Sequence, residues 1–132
     1  MTKEELIQEA FKGKANSYSP YSKFPVGAAV GLKNGKVVYG TNVENASYPC
    51  GCCAERVALF SAYALGYRQD DIEALAIVTD ADTVSTPCGV CRQVLNELLH
   101  KKTPIYLSNG TETIETDIDT LLPMSFGPED LL

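Results

Sequence analysis

No apolar run in this chain approaches the ~20 residues that span a bilayer, so a membrane partner is not expected. No basic stretch is longer than the dipeptide Lys101-Lys102. Sequence-independent nucleic-acid binding needs a lysine or arginine stripe that displaces counterions. With a net charge of -6, a nucleic-acid partner is not expected either. The N-terminal MTKEELIQEAFKGK carries charge throughout and lacks an apolar core, so it does not read as a signal peptide. There are no repeats or low-complexity segments. Histidine occurs once, at His100. It falls at the end of a predicted helix beside two lysines, where cations suit the helix dipole, and no metal role is expected for it.

What is present is an ordinary globular composition, 45% apolar and 21% charged over 132 residues. One domain over residues 1–132 is the expectation. A chain of this size can hide roughly two-thirds of its unfolded surface in a single core. An acidic surface of this kind suits a small uncharged ligand.

The unusual feature is cysteine. Five are present, and all fall in two clusters, YPCGCCAERVALF (Tyr48 to Phe60) and TPCGVCRQVLNEL (Thr86 to Leu98). An odd, clustered set in a chain without an export signal favours metal binding or catalysis over disulfides. A reducing cytoplasm is the expected compartment.

Hydrophobic periodicity places the clusters. A helix is predicted over about Thr2–Lys14, with Thr2 and Glu5 as a capping box and Leu6, Ile7, Ala10 and Phe11 on one face. Strands are predicted near Val26–Lys33 and Lys36–Thr41, joined at Asn34-Gly35, two residues that tolerate positive φ. A second helix runs from about Cys53 to Leu65 and stops at Gly66. It is apolar on most sides and is expected to be buried. EALAIVTD reads as a buried strand. CGVCRQVLNELLHKK reads as a third helix with Val90, Val94, Leu95, Leu98 and Leu99 on one stripe. PIYLSNGTETIET reads as a second hairpin, and the tail as a short helix with an irregular end. The order α-β-β-α-β-α-β-β implies an α/β fold with a five-stranded mixed sheet and helices on its faces.

Both clusters therefore sit where a loop becomes a helix. Helix N-termini offer unpaired N–H groups and partial positive charge, which lower a cysteine's pKa and ready it as a metal ligand. Two readings are open. Cys53, Cys88 and Cys91 can hold zinc on three sides and leave the fourth for water, the catalytic pattern. Alternatively Cys50 completes a closed, structural four-cysteine site. Glu55 weighs toward the first: a carboxylate beside an apolar helix has a desolvation cost that a structural knot has no reason to bear.

CAE followed by PCxxC resembles the signature of the zinc-dependent nucleoside and nucleobase deaminases, in which a glutamate that is not a ligand moves protons. YSPYSKFPVGAA, GTNVENASYP, CAER, PCGVCRQVL and FGPEDL resemble, in that order, the small cytidine deaminases that act on free nucleosides. The likeness runs from about Tyr18 to Leu131.

The resemblance implies a three-layer α-β-α fold and hydrolysis of cytidine or 2′-deoxycytidine to the uridine product with release of ammonia, in pyrimidine salvage. It implies one Zn2+ per subunit on Cys53, Cys88 and Cys91. It assigns proton transfer to Glu55, first to N3 of the cytosine ring and then to the leaving amine. Three thiolates leave the zinc with one negative charge in excess, and Arg56 matches an arginine that hydrogen-bonds the zinc thiolates. Asn42 and Glu44 match residues on the ribose 3′-hydroxyl, where a carboxylate would repel a phosphate. Phe24 matches an aromatic on the pyrimidine. The backbone of Ala54 and the carbonyl of Thr86 match groups that hold the base and its amine. Ala46 and Tyr48 match contacts between subunits around the site, and Phe126 matches a ring given by a neighbouring subunit of a homotetramer with shared active sites. Cys50 and Cys52 match no ligand and read as packing residues. Two other readings are kept: a deaminase of another aminopyrimidine nucleoside, of the blasticidin S type, and a non-catalytic structural zinc module.

Overall fold

The structure, a computed structural model, describes residues 1–132. Helix α1 (Lys3–Lys14) begins at the expected capping box: the Glu5 amide donates to the Thr2 hydroxyl, and the Thr2 amide donates to the Glu5 carboxylate. It is followed by β1 (Val26–Leu32), β2 (Val37–Thr41), α2 (Ala54–Ala64), β3 (Ile72–Thr79), α3 (Gly89–Leu98), β4 (Ile105–Ser108), β5 (Thr113–Thr116) and the single turn α4 (Ile118–Leu121). The sheet order is β2-β1-β3-β4-β5. Only β3 and β4 run parallel, the crossover between them being α3, so the sheet is mixed as expected.

Alternation along β1 and β3 divides the core into two layers. Ala28, Val30, Leu32, Leu75 and Ile77 face α2, α3 and α4, with Ala58, Leu59, Leu95, Leu99 and Ile118. Ala29, Ala74, Ala76 and Val78 face α1, meeting Leu6, Ile7 and Ala10. The result is a helix–sheet–helix sandwich.

The first hairpin closes differently from the reading of two positive-φ residues. The Gly35 amide donates to the Leu32 carbonyl, the Leu32 amide to the Lys36 carbonyl, and only Gly35 is left-handed, at φ 87°. Such three-residue loops need a glycine at that one position. A second correction concerns α2, expected to be buried, and α3 shares the feature. Their apolar residues are not all buried within the chain: Phe60 is 46% and Val90 60% exposed, and Val94 and Leu98 are only partly covered. Each helix turns one side to the sheet and keeps a second apolar side at the surface.

Gly40 sets how close α2 lies. A Cβ on this β2 residue would stand 2.2 Å from the Ala54 carbonyl oxygen and 2.6 Å from the Ala58 amide nitrogen. The first turn of α2 therefore rests directly on the strand backbone, and glycine is the residue that permits it.

Candidate active site

Three short segments meet at the carboxyl end of β3. Val43 and Cys52 exchange backbone hydrogen bonds of 3.0 and 2.9 Å, while the Tyr18 amide donates to Asn42 and the Glu44 amide to Tyr18. This ladder ties the residues after β2 to the approach of α2. Asn42 and Glu44 are thereby set beside Cys53.

Cys53 is the N-cap of α2 and Cys88 the N-cap of α3, with Cys91 in the first turn of α3. Their three sulfurs all lie within 4.8 Å of one another. Sulfurs bound to a tetrahedral zinc at ~2.3 Å stand about 3.8 Å apart, so the donor set fits that ion. Cys50 stands outside the group, exposed in a 3-10 turn over Tyr48–Cys50. Cys52 is half-buried, and burial pushes its thiol up. The sulfurs that can share one ion are three, not four.

The sulfurs also perturb one another. The neighbouring Cys91 thiol, assisted by Arg56, lowers Cys53 to about 5 against the opposing effect of burial. Cys91, beside the Cys53 sulfur and buried, is pushed up. Arg56 lies one turn beyond Cys53 and donates from Nη2 to its Sγ at 3.5 Å. Contact with Cys53 holds the guanidinium more firmly protonated than usual. Its Nε is buried with no hydrogen-bond partner.

Glu55 is in the first turn of α2 and only 4% exposed. Burial pushes its carboxyl up, and the Cys53 thiolate adds to this. A carboxyl that resists ionisation and faces a metal-capable cluster is suited to carrying a proton in both directions.

A cavity of about 250 Å³ is lined by Phe24, Asn42, Glu44, Cys53, Glu55, Thr86 and Cys88, with Ser22, Val26 and Thr79 among the remaining walls. Residues from five separate stretches of sequence thus share one space. Ala54 is fully buried at the start of α2. Ala46 is exposed in the loop after β2. Tyr48 is 77% exposed and lines a neighbouring groove of about 400 Å³ with Tyr21, Ser22 and Glu44. Phe126 does not line the cavity of its own chain; its carbonyl accepts from Gln93 and Asn96 on α3, and its ring is exposed. His100 pairs with Asp70 at 2.5 Å and takes no part in the sulfur cluster.

The polar side chains of the cavity are already committed in part. The Asn42 Oδ1 accepts from the Val26 amide at 2.9 Å and the Ser17 hydroxyl at 2.6 Å, and its Nδ2 donates to the Phe24 carbonyl at 2.9 Å. With both acceptor positions filled, one N–H remains for a ligand. Arg92 spreads its fork over the Pro87 carbonyl (2.7 Å), the Leu121 carbonyl (2.8 Å) and the Thr86 hydroxyl (3.0 Å), fixing the segment that leads into Cys88. Neither Arg92 nor the serines carry a sequence signal of this role, because their partners lie elsewhere in the chain.

The sequence model of the cytidine and deoxycytidylate deaminase zinc-binding region matches residues 1–107. A cytidine deaminase of Halalkalibacterium halodurans is 46% identical over 132 residues, covering 99% of this chain and 98% of the relative. One from Sporosarcina psychrophila is 45% identical, with 99% and 96% covered. Among solved structures, cytidine deaminase from Burkholderia pseudomallei superposes with a TM-score of 0.92 at 45% identity, over 96% of this chain and all of that one. The Mycobacterium tuberculosis cytidine deaminase gives 0.80 at 37% identity, over 96% and 98%.

Proposed function

The chain belongs to the cytidine and deoxycytidylate deaminase family, and we propose that it hydrolyses cytidine and 2′-deoxycytidine to uridine and 2′-deoxyuridine, releasing ammonia, as a step of pyrimidine salvage. The observation that carries this is the shared cavity: Cys53 and Cys88 of the three-sulfur cluster, a buried Glu55, and the amide and carboxylate of Asn42 and Glu44 line one space. Its volume lies just below the ~300–1,000 Å³ of drug-sized ligands, the scale of a nucleoside.

In this reading Cys53, Cys88 and Cys91 hold one zinc. Zinc, when bound, supplies a Lewis acid that makes water acidic near neutral pH. Glu55 would take one proton from the attacking water and pass it to N3 of the cytosine ring, which makes C4 electrophilic. The water oxygen bonds to C4, its second proton passes through Glu55 to the exocyclic amine, and the C4–N bond breaks to release ammonia and leave the C4 carbonyl. Arg56 offsets the negative charge that three thiolates leave in excess, by its contact with Cys53. Phe24 packs on the pyrimidine. Asn42 donates its remaining N–H to a sugar hydroxyl, and Glu44 accepts from it. The Ala54 backbone and the Thr86 carbonyl hold the base.

We also propose a homotetramer with shared sites, one domain per chain and a cytoplasmic location. Support for assembly is the uncovered apolar side of α2 and α3, together with the exposed Tyr48 and Phe126 rings. No helix is long and apolar enough to cross a membrane. The test of the activity is absorbance loss and ammonia release with cytidine, deoxycytidine and blasticidin S in parallel. Turnover of the first two, abolished in Glu55→Gln with zinc retained, is the expected result. Turnover of blasticidin S alone, or of none, contradicts the proposal.

A further inference from the structure

Glu44 and Phe24 are joined through one hydroxyl. Ser22 Oγ donates to Glu44 Oε2, and the same oxygen accepts from the Phe24 amide at 3.1 Å. The geometry depends on an unusual turn. The Lys23 amide donates to Ser19 at 3.0 Å, and Lys23 itself is left-handed at φ 55°, a conformation uncommon for a residue with a side chain. That backbone reversal brings the Phe24 amide back onto the Ser22 hydroxyl. The Phe24 carbonyl is held from the other side by Asn42. The ring is left free at the cavity wall, 41% exposed, while its backbone is fixed at both ends.

The carboxylate is equally constrained. Its Oε1 accepts from the Tyr21 amide at 3.1 Å and the Ser22 amide at 3.0 Å, which fills that oxygen. On Oε2 one position goes to the Ser22 hydroxyl, and one is left for a ligand. The hydroxyl therefore aims the only acceptor position that Glu44 still has. Three donors favour the ionised form, and the Ser22 side chain makes the largest contribution to holding the carboxyl below its usual range.

We propose that Ser22 is a positioning residue for substrate recognition: its hydroxyl couples the Phe24 ring to the open acceptor position of Glu44, so that base and sugar are read in one fixed register. The inference rests on the reading that Glu44 accepts a sugar hydroxyl and that Phe24 contacts the base. Ser22 is exposed and belongs to neither core cluster, so its removal is expected to leave the fold intact.

The test is steady-state kinetics with cytidine and 3′-deoxycytidine for wild type, Ser22→Ala, Ser22→Thr, Glu44→Gln and the double variant Ser22→Ala/Glu44→Gln. Zinc content and thermal midpoint are measured alongside. Ser22→Ala is expected to raise KM for cytidine about tenfold with kcat changed less than about threefold, the size of one lost hydrogen bond to a charged group. It is expected to narrow the preference for cytidine over 3′-deoxycytidine. Ser22→Thr, which keeps the hydroxyl, restores both. The double variant is no worse than Glu44→Gln alone, because Ser22 acts through Glu44. Ser22→Ala with wild-type KM and preference, while Glu44→Gln loses the preference, overturns the role of Ser22 and leaves that of Glu44 standing. Glu44→Gln with an unchanged preference overturns the Glu44 reading and the inference with it.

Discussion

The Arg56 guanidinium reaches back one helical turn and donates to the Cys53 sulfur at 3.5 Å. Each thiolate added to a zinc site makes the ion a weaker Lewis acid, and a partly buried cation on the sulfur restores part of that strength. Arg56→Ala is expected to keep zinc and to lose about 10–100-fold in kcat, the usual effect of losing a hydrogen bond to a metal ligand. Metal analysis beside cytidine turnover checks this. Normal turnover in that variant removes the role.

Glu55 sits in the same turn with its carboxyl buried. Glu55→Gln keeps the shape and removes the exchangeable acid. A positioned proton carrier contributes on the order of 10²–10⁴-fold, so kcat is expected to fall by that much with zinc content unchanged. A structural zinc module predicts instead a change in thermal stability alone.

Gly40 supports both of these residues without touching either. A methyl group there would meet the Ala54 carbonyl at 2.2 Å, so Gly40→Ala must push the start of α2 away from the sheet. The expected cost is about 1–3 kcal/mol of stability or more, with loss of zinc and activity as Cys53 moves. Gly35→Ala is the control. It has open space and strain only from its left-handed φ, so it is expected to cost about 1 kcal/mol and leave turnover alone. Denaturant melts with metal analysis separate the two.

Glu44 gives a pH dependence with a definite sign. Its carboxyl is held below the usual range, first by the Ser22 hydroxyl. A depressed acid keeps its ionised, accepting form above its ordinary pKa and loses it only as pH falls through the depressed value. Cytidine KM is therefore expected to be flat from neutral pH into mild acid and to rise only below the ordinary carboxylate range. In Ser22→Ala that rise moves toward higher pH. A profile unmoved by the substitution contradicts the assignment.

Much of the frame was legible from local pattern. The capping box at Thr2 and Glu5, the end of α2 at Leu65, where Gly66 turns left-handed at φ 98°, and the helix starts at both cysteine clusters follow from short-range chemistry that the structure reproduces. The burial of α2 was overestimated, because periodicity tells that Phe60 is apolar but not what covers it. The site was legible where motifs carry it, at Cys53, Glu55, Cys88 and Cys91. It was not legible where support comes from afar. Ser22 and Glu44 are 22 residues apart. Asn96, buried on α3, accepts from Lys101 and Ser125 and donates to Phe126, a role set by tertiary placement alone. Asn42 was read as a substrate contact, yet most of its amide is spent holding Phe24, Val26 and Ser17 in place.

The central claim is that the ion is held by three sulfurs and that Cys50, despite its CxxC spacing to Cys53, is not one of them. Zinc per chain and cytidine turnover in wild type, Cys50→Ala and Cys53→Ala test it most directly. The account predicts that Cys50→Ala keeps both and Cys53→Ala loses both. Loss of zinc in Cys50→Ala, or retention of zinc and turnover in Cys53→Ala, would contradict it.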